Sequence, residues 1–323
     1  MGVYDGKKVV VAGATGLIGS YVIKELSEAG IEATGVIHTR APNEYTKLAG
    51  KIVKADLRNF NEVKKVVKGA DVVLNCAGIT GGIGQTDKVS FVGPATSIEI
   101  NILHACYVEG VERHAFLGST TVYPLMNSPI QEDQTYDNLG RPIYPPYEGI
   151  SRSKRFLEHL CKYYYDMTGM RIGIIRPSGA YGRYDNFDEQ SGHVIPSMIR
   201  RALRSKDTFE VWGSGNDVRD FPHAKDVARG LLIMTANTPN ADPVNIGTGT
   251  SIKTIDLAKA ILKIIKSKAR IVTNMSKPSA IPIRIIDISK ARSLGYEPSV
   301  TLEEGLKDTI SWYRSSLVRG ERQ

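Results

Sequence analysis

A glycine-punctuated segment near the start of the chain, residues 7–20, admits few arrangements of its backbone. It opens with the apolar run Val9-Val10-Val11, which is typical of a strand buried on both faces of a parallel sheet and followed by a crossover helix. Gly13, Gly16 and Gly19 then follow at equal spacing. The first permits a tight turn, the second lets the backbone approach a pyrophosphate, and the third lets the helix lie close to the strand.

Backbone amides at the start of such a helix, together with the helix dipole, favour a negatively charged group. The segment therefore predicts a dinucleotide site, and the alternative is a glycine turn with a structural role alone. The residues expected to contact the cofactor here are Gly13, Thr15, Gly16, Leu17, Ile18 and Gly19.

Size and composition narrow the class of protein. The 323 residues exceed the usual size of one domain, and 41% hydrophobic with 24% charged residues is ordinary for a globular protein with a buried core. The lysines and arginines behind the net charge of +8 are scattered, and their densest stretches are typical of solvated helix faces. An anionic small substrate is the second interpretation of this charge, and we expect no nucleic-acid partner.

The three cysteines, Cys76, Cys106 and Cys161, are odd in number, far apart and without metal-ligand spacing. We expect them to be small buried hydrophobic residues in a reducing compartment, with no disulfide and no metal site. The chain enters a strand within a few residues, which leaves no room for a signal peptide, and no apolar run reaches the ~18 residues of a membrane span. These features predict a cytoplasmic protein with no membrane partner.

Strand-like and helix-like segments alternate through the first part of the chain. After a helix over Gly19 to Ala29, strands are predicted at Glu32 to His38, Lys51 to Ala55 and Asp71 to Leu74, with an amphipathic helix from Asn59 to Lys68 before the last of them. This alternation predicts an α/β fold of the Rossmann type, with a doubly wound parallel sheet.

The end of the second predicted strand is where dinucleotide-binding proteins usually select their cofactor. A carboxylate there binds the ribose of NAD, whereas this chain has His38, Thr39 and Arg40. Because a guanidinium matches phosphate geometry, NADP is favoured over NAD, and the alternative is that Arg40 faces water. Asp56 and Leu57 follow the third strand, where a carboxylate is placed to accept the adenine amino group.

The fourth strand ends in Asn75-Cys76-Ala77-Gly78, and small residues at this point suit close passage of a cofactor. Asn75, Ala77 and Gly78 are therefore added to the predicted cofactor contacts. A fifth strand, His114 to Leu117, leads into Ser119 and the pair Val122-Tyr123.

These motifs, with Arg176-Pro177 and Tyr181-Gly182 further on, resemble the extended short-chain dehydrogenase/reductase family of nucleotide-sugar epimerases, dehydratases and reductases. The resemblance covers nearly the whole chain and is strongest to the GDP-fucose synthase branch of the family. The stretches that carry it are Gly81-Gly82-Ile83, Leu117-Gly118-Ser119, Asp185-Asn186-Phe187, His193-Val194-Ile195-Pro196 and Val211-Trp212-Gly213-Ser214-Gly215.

The resemblance implies a dinucleotide-binding domain and a smaller α+β substrate-binding lobe. The first is expected over residues 1–180 with about 218–248, and the lobe with a closing helix over 181–217 and 249–323. It also implies a nucleoside-diphosphate-sugar substrate, NADP or NAD as cofactor, and a homodimer formed through the helix that bears the family lysine. Pro177 is a further cofactor contact by this resemblance.

Enzymes of this family place a serine, a tyrosine and a lysine around the nicotinamide. By resemblance these include Ser119 and Lys154, but the position four residues before the lysine holds Ile150. An isoleucine cannot transfer a proton. Tyr147 and Tyr144 are the candidate replacements, although Tyr147 precedes Lys154 by seven residues, about two helical turns or ~10.5 Å along the axis.

The resemblance further implies that His193 acts as an acid in epimerisation. The matching base is a cysteine in GDP-fucose synthases, whereas this chain has Thr121, whose hydroxyl is too weak a base at neutral pH. Double epimerisation is therefore not expected. By the same resemblance Thr120 and Thr121 contact the sugar. The arginines Arg201 and Arg219 are expected to bind the diphosphate, and Trp212 to pack on the base.

Two functions of different classes follow. The first is an enzyme that performs NAD(P)-dependent chemistry at a ring carbon of a nucleotide sugar through a 4-keto intermediate, by reduction, epimerisation or dehydration. The second is a sensor or scaffold that kept the dinucleotide site and lost turnover, for which Ile150 is the supporting feature.

Overall fold

The computed structural model describes residues 2–79, 89–189, 191–277 and 281–319. The Gly81-Gly82-Ile83 motif lies outside these residues. Within them, the strands and helices in chain order are β1 (Val9–Ala12), α1 (Leu17–Glu28), β2 (Ala33–Ile37), β3 (Lys51–Lys54), α2 (Phe60–Val67), β4 (Val72–Asn75), α3 (Val89–Val108), β5 (Arg113–Leu117), α4 (Glu148–Thr168), β6 (Arg171–Pro177), α5 (Val194–Arg204), β7 (Thr208–Trp212), β8 (Val218–Arg219), α6 (Ala224–Asn237), β9 (Val244–Ile246), β10 (Ile252–Lys253), α7 (Thr254–Ile265), β11 (Arg270–Asn274), β12 (Ile283–Arg284), α8 (Ser289–Ser293) and α9 (Leu302–Val318).

Seven parallel strands form the main sheet, in the order β3-β2-β1-β4-β5-β6-β9. The first strand pairs with β2 on one side and β4 on the other, so the order of the strands reverses at β1. In open α/β sheets this reversal leaves a crevice at the carboxyl ends of the strands, where ligands bind. The predicted doubly wound Rossmann-type sheet is thereby confirmed.

The central strands are buried on both faces, which explains their continuous apolar sequence. Val9 and Val11 pack with α1 and α6 on one face of the sheet. Val10 and Ala12 pack with α2, α3 and α4 on the other face. Side chains alternate between the faces of a strand, so one short run of valines contributes to both cores.

A third apolar cluster lies outside the main sheet, around α5, α7, α9 and the parallel pair β7–β11. Phe187 and Tyr313 stack in it with ring centroids 4.0 Å apart, and Trp312 packs beside them. A small sheet in the order β10-β8-β12 borders this cluster. The mixed helices and short strands agree with the expected α+β lobe.

Two element boundaries differ from the sequence-based expectation in ways that affect the site. Helix α1 begins at Leu17, two residues before the expected Gly19. The sequence predicts a helix over Ser151 to Tyr165, whereas helix α4 begins at Glu148, because a 3-10 turn over Pro145–Tyr147 leads directly into it. Proline at the start of this turn fixes φ near the helical value, which favours the earlier start. Ile150 is therefore inside the first turn of α4, and Tyr147 is its N-cap residue.

No helix in the described part of the chain is long and apolar enough to cross a membrane.

His223 joins the two parts of the molecule. It is the N-cap residue of α6, and its Nδ1 accepts a hydrogen bond of 3.3 Å from the backbone amide of Lys225. Its ring packs edge-on against Tyr21 and Tyr181, with centroids 5.2 and 5.5 Å away, and is 4% exposed. This burial lowers the pKa of His223 to about 4, against the opposing effect of Asp308 and Asp226.

The buried imidazole predicts acid sensitivity. An unfolded chain takes up the His223 proton near pH 6.5, whereas the folded chain takes it up near pH 4, so folding stability falls as the pH drops between these values. Asparagine caps helices well and does not titrate. We expect His223→Asn to remove about 2–3 kcal/mol of the stability loss between pH 7.5 and pH 4.5. Urea unfolding of the wild type and of His223→Asn at both pH values measures this difference in stability loss. An equal loss of stability in the two proteins would contradict the prediction.

Candidate active site

The glycine turn lies directly against the end of β4. Gly13 has a φ of +73°, and a Cβ placed there would be 2.7 Å from the Cα of Ala77. A Cβ at Gly19 would be 2.2 Å from the carbonyl oxygen of Gly13. Neither position accepts a side chain, so the strand, the turn and the helix occupy one compact unit at the crevice.

The start of α1 presents backbone amides to this crevice. Gly16 is the N-cap residue and makes no side-chain cap, and the backbone amide of Ser20 is bonded to the carbonyl of Gly16 at 3.0 Å. The amides of residues 17–19 precede that bond, at the end of the helix where amides lack partners within the helix. Thr46 supports the turn from behind by donating to the carbonyl of Ala14 at 2.8 Å. This arrangement suits a phosphate group.

Cationic groups gather where the adenosine end of a cofactor would lie. His38 and Arg40 are exposed after β2, as expected. Arg58 donates to Asp56 with Nη2–Oδ2 at 2.7 Å and lowers the pKa of that carboxyl to about 2. His38 Nε2 is 3.9 Å from the same carboxylate. Sequence reasoning missed Arg58, for which the position two residues after Asp56 was the available signal.

Asn75 ends β4 with both of its amide atoms in use. Its Oδ1 accepts a 2.9 Å hydrogen bond from the amide of Ala77, and its Nδ2 donates to Glu99 of α3. Glu99 was also missed from sequence. Cys76 is half-buried, unlike Cys106 and Cys161, which are fully buried as expected. Gly78 follows in open space, with nothing within 4 Å of a Cβ placed there.

Ser119 and Lys154 both lie at the carboxyl end of β5, each with its own hydrogen-bond partner. The Ser119 hydroxyl oxygen accepts hydrogen bonds from the amide and the hydroxyl of Thr121, at 3.1 and 3.0 Å. The Lys154 ammonium donates to the carbonyl of Leu117 at 2.7 Å and lies 4.7 Å from the ring centroid of Phe116. Burial lowers the pKa of Lys154. Pro177 ends the neighbouring strand β6, at the same edge of the sheet.

At the position that the resemblance assigns to the family tyrosine, the Ile150 side chain is buried and 9% exposed. The next residue, Ser151, ties α4 to the Ser119 loop by donating to the carbonyl of Thr121 at 2.8 Å. Tyr147 is half-buried one turn earlier, with its ring edge-on to Tyr144 at 5.6 Å.

A buried arginine lies close to Tyr147. Arg284 of β12 is 6% exposed and donates to the carbonyls of Tyr123 and Pro124, at 3.1 and 3.2 Å. Burial lowers the pKa of Arg284 to about 10, the phenols of Tyr147 and Tyr123 oppose the shift, and Arg219 adds to it. By contrast, the charged or titrating groups that act on Lys154 are Glu99, Glu158 and Cys161. Tyr147 is thus associated with Arg284 and not with Lys154.

The expected diphosphate residues are under-compensated cations. Arg201 donates to the carbonyl of Glu210 at 2.7 Å, its guanidinium lies 4.9 Å from the Trp212 ring centroid, and burial lowers its pKa. Arg219 donates to the carbonyl of Ile281 at 3.1 Å and borders a cavity of about 440 Å³. The Nε atoms of both arginines are buried without a hydrogen-bond partner in the described part of the chain.

His193 is the N-cap residue of α5, with its side chain 44% exposed. Its Nδ1 is 3.4 Å from the Asp185 carboxylate. The surrounding protein disfavours the charged ring, but the bond to Asp185 raises the pKa of His193 above its ordinary value. The imidazole is therefore suited to donate a proton. No group of three or more metal-ligating side chains occurs among the residues described.

Comparison with known proteins finds relatives over almost the whole chain. The profile of the "NAD dependent epimerase/dehydratase family" matches residues 9–247. "Putative GDP-L-fucose synthase 2" of Arabidopsis thaliana is 30% identical over 319 residues, covering 97% of this chain and 93% of that protein. GDP-L-fucose synthase of Escherichia coli strain K12 is 30% identical over 329 residues, covering 97% and 98%.

Among solved structures, UDP-glucose 4-epimerase from Thermotoga maritima superimposes with a TM-score of 0.84 at 21% identity. The superposition covers 96% of this chain and 99% of that chain. At this identity the likeness concerns the fold.

Proposed function

The chain belongs to the NAD-dependent epimerase/dehydratase family, and we propose on this basis that it reduces the keto group of a 4-keto sugar carried on a nucleoside diphosphate. The observation that carries the proposal is that Lys154 binds the carbonyl of Leu117, the last residue of β5, two residues before Ser119, in the sheet that carries the glycine turn. Relatives named GDP-L-fucose synthase cover almost the whole chain. Arg201 and Arg219 supply cations for the diphosphate.

Reduction is favoured over epimerisation by the state of Thr121. Its hydroxyl donates to Ser119 at 3.0 Å, and a threonine hydroxyl is not a base at neutral pH. The proton next to the ketone therefore has no acceptor at this position. His193 remains as a proton donor, which alone does not complete an epimerisation.

The residues present fit a dinucleotide, because the amides at the start of α1 and the carboxyl end of β4 leave a glycine-lined cradle. Bound NADPH or NADH would supply the hydride. In the proposed reaction Lys154 binds the ribose, and the Ser119 hydroxyl donates to the sugar oxygen. The protein must then give one proton to that oxygen as the ketone becomes an alcohol.

We propose that Tyr147 gives this proton. Its phenol lies at the N-terminus of α4, beside Tyr144 and within electrostatic range of the buried Arg284 guanidinium. Ile150, at the usual position of the tyrosine, has no proton to give.

Replacing the phenol tests this assignment. We expect Tyr147→Phe to lower kcat by about 100-fold or more, because general acid catalysis contributes that much, while the KM of the nucleotide sugar changes little. Tyr144→Phe is the matched control and is expected to stay within about threefold. The assay follows NADPH oxidation with GDP- and dTDP-4-keto-6-deoxy sugars. A Tyr147→Phe enzyme with unchanged kcat refutes the role. An inactive wild type that gains activity as Ile150→Tyr supports the sensor function instead.

NADP is the proposed cofactor, supported by the cations that surround the end of β2. Arg40, His38 and Arg58 are exposed there, and Asp56 is already held by Arg58, so it is not a free carboxylate that would repel a 2′-phosphate.

The preference for NADP over NAD is tested by measuring the same variant with both cofactors. We expect Arg40→Ala to raise the KM for NADPH about tenfold, because a hydrogen bond between ions is lost, and to leave the KM for NADH within about twofold. Initial rates with each cofactor measure both. Equal effects on the two cofactors would show that Arg40 does not contact a 2′-phosphate.

A homodimer through α3 and α4 is also proposed. These neighbouring helices expose large apolar side chains, between 36% and 67% accessible, at Ile100, Tyr107, Phe156, Tyr163 and Met167. Several large apolar side chains exposed on two neighbouring helices are typical of an interaction surface.

A charge on this surface is expected to separate the subunits. Tyr163→Glu should convert a dimer to a monomer at micromolar concentration, because burial of an unpaired carboxylate is costly. Met275→Glu, at a side chain 75% exposed on the lobe, is the control and should remain dimeric. Sedimentation velocity distinguishes the two states. A wild type that is monomeric at ~50 µM contradicts the proposal, since obligate dimers of this kind associate well below that concentration.

Two further proposals complete the assignment. The third apolar cluster supports residues 181–217 and 249–323 as the substrate lobe, with residues 1–180 and about 218–248 as the dinucleotide-binding domain. The free state of all three cysteines supports a reducing compartment such as the cytoplasm.

A further inference from the structure

The buried Glu99 carboxylate on α3 connects two strands. It contacts Asn75, the last residue of β4, and His114, the second residue of β5. His114 and Asn75 face the same side of the sheet, because they pair across the strands with Val73 and Phe116 respectively. Glu99 lies between them: its Oε1 is 2.7 Å from His114 Nε2, and its Oε2 accepts from Asn75 Nδ2. All three side chains are at most 3% exposed.

Glu99 and His114 form a buried hydrogen-bonded pair. Burial alone would favour a neutral imidazole, but the adjacent Glu99 carboxylate, with a contribution from Cys106, raises the pKa of His114 to about 10. The protonated imidazole is therefore favoured beside the carboxylate. The other carboxylate oxygen accepts from Asn75.

The Lys154 ammonium lies on the same side of the sheet as Asn75, Glu99 and His114. A 2.5 Å hydrogen bond between the hydroxyls of Thr96 and Ser153 joins α3 to α4, one turn before Glu99 and one residue before Lys154. The ammonium is 4.7 Å from the ring centroid of Phe116, which is the strand partner of Asn75.

Glu99 is the main counter-charge of this lysine. Burial disfavours the ammonium, Glu99 is the first of the charges that oppose this effect, and Glu158 and Cys161 follow. Glu158 is already bound at both oxygens by the buried guanidinium of Arg176, at 2.7 Å each. Glu99 has no guanidinium partner among the described residues, and His114 contacts only one of its oxygens, so its charge is shared between His114 and Lys154.

We propose that Glu99 is a positioning residue of the cofactor site: one oxygen orients the Asn75 amide at the end of β4, and its charge stabilises the Lys154 ammonium. The proposal goes beyond the proposed reaction and rests on it only in taking Lys154 as the residue that binds the cofactor ribose. His114 is the structural counter-ion, on the side of Glu99 away from the crevice.

Cofactor binding tests the proposal without any sugar substrate. The experiment titrates NADPH fluorescence against the full-length wild type, Glu99→Gln and His114→Gln. Glutamine keeps a hydrogen-bonding group at either position and removes the charge. Glu99→Gln is expected to weaken NADPH binding about tenfold, because Lys154 loses the charge that stabilises it. His114→Gln is expected to stay within about threefold, although both variants lower the Tm.

The same substitution in a second background separates charge from folding. In a Lys154→Met protein, Glu99→Gln should weaken binding by less than about threefold, since the ammonium on which the charge acts is absent. If Glu99→Gln does not fold, the double variant Glu99→Leu with His114→Leu removes both ions together, which cores tolerate, and the same tenfold loss is expected.

Equal affinity of Glu99→Gln and the wild type overturns the proposal. So does an equal loss in Glu99→Gln and His114→Gln, which would indicate a structural ion pair alone. A wild type that binds NADPH but turns over no 4-keto sugar refutes the proposed reaction and leaves this inference standing. A wild type that binds neither NADPH nor NADH refutes both.

Discussion

The close contact between the first turn and the end of β4 is the constraint on which the site depends. A side chain at Gly13 would collide with the backbone of Ala77, and one at Gly19 would collide with the carbonyl of Gly13. With both glycines in place, the amides of α1 and the end of β4 share one small volume. Asn75, the last residue of β4, donates to Glu99, and Glu99 is the first of the charges that act on Lys154. These interactions connect the region of the glycine turn with a lysine that lies more than 130 residues later in the chain.

Local signals predicted the parts of this site that depend on local geometry. The valine run and the glycine spacing specify a buried strand and a tight turn whatever the rest of the chain does, and both occur as expected. Glu99 had no such signal, since it lies between Ile98 and Ile100 in a mostly apolar helix and its partners are brought to it by the pairing of β4 with β5. Arg284 is similar, because the carbonyls that it binds are about 160 residues earlier. The early start of α4 was missed because Ser151 resembles an N-cap, whereas the turn at Pro145 already directs the chain into a helix.

Arg201, Arg219 and Arg284 show a second property of the site, namely buried or half-buried positive charge with little negative charge close to it. None of the three forms an ion pair shorter than 4.0 Å within the described residues, and Arg219 reaches Asp217 only at that distance. Burying a cation without a partner costs several kcal/mol or more, so it reduces stability. Such an arrangement persists where an anion is bound during function, and a diphosphate supplies two negative charges at a suitable separation. Arg284 was not predicted from the sequence, because nothing in its local sequence indicates that it is buried against carbonyls about 160 residues earlier.

With Tyr147 as the proposed proton donor, two cations take the roles that one lysine has in the family. When tyrosine and lysine are four residues apart on a helix, the same ammonium binds the ribose and stabilises the phenolate. Tyr147 is seven residues from Lys154, about 10.5 Å along the helix axis, and at this distance the effect of a lysine on a phenol is small. Arg284 is the buried cation on which that phenol acts, and it is anchored by two carbonyls of the loop that carries Ser119. In the proposed reaction the lysine binds the cofactor, Tyr147 gives the proton within electrostatic range of this arginine, and the sugar binds between them.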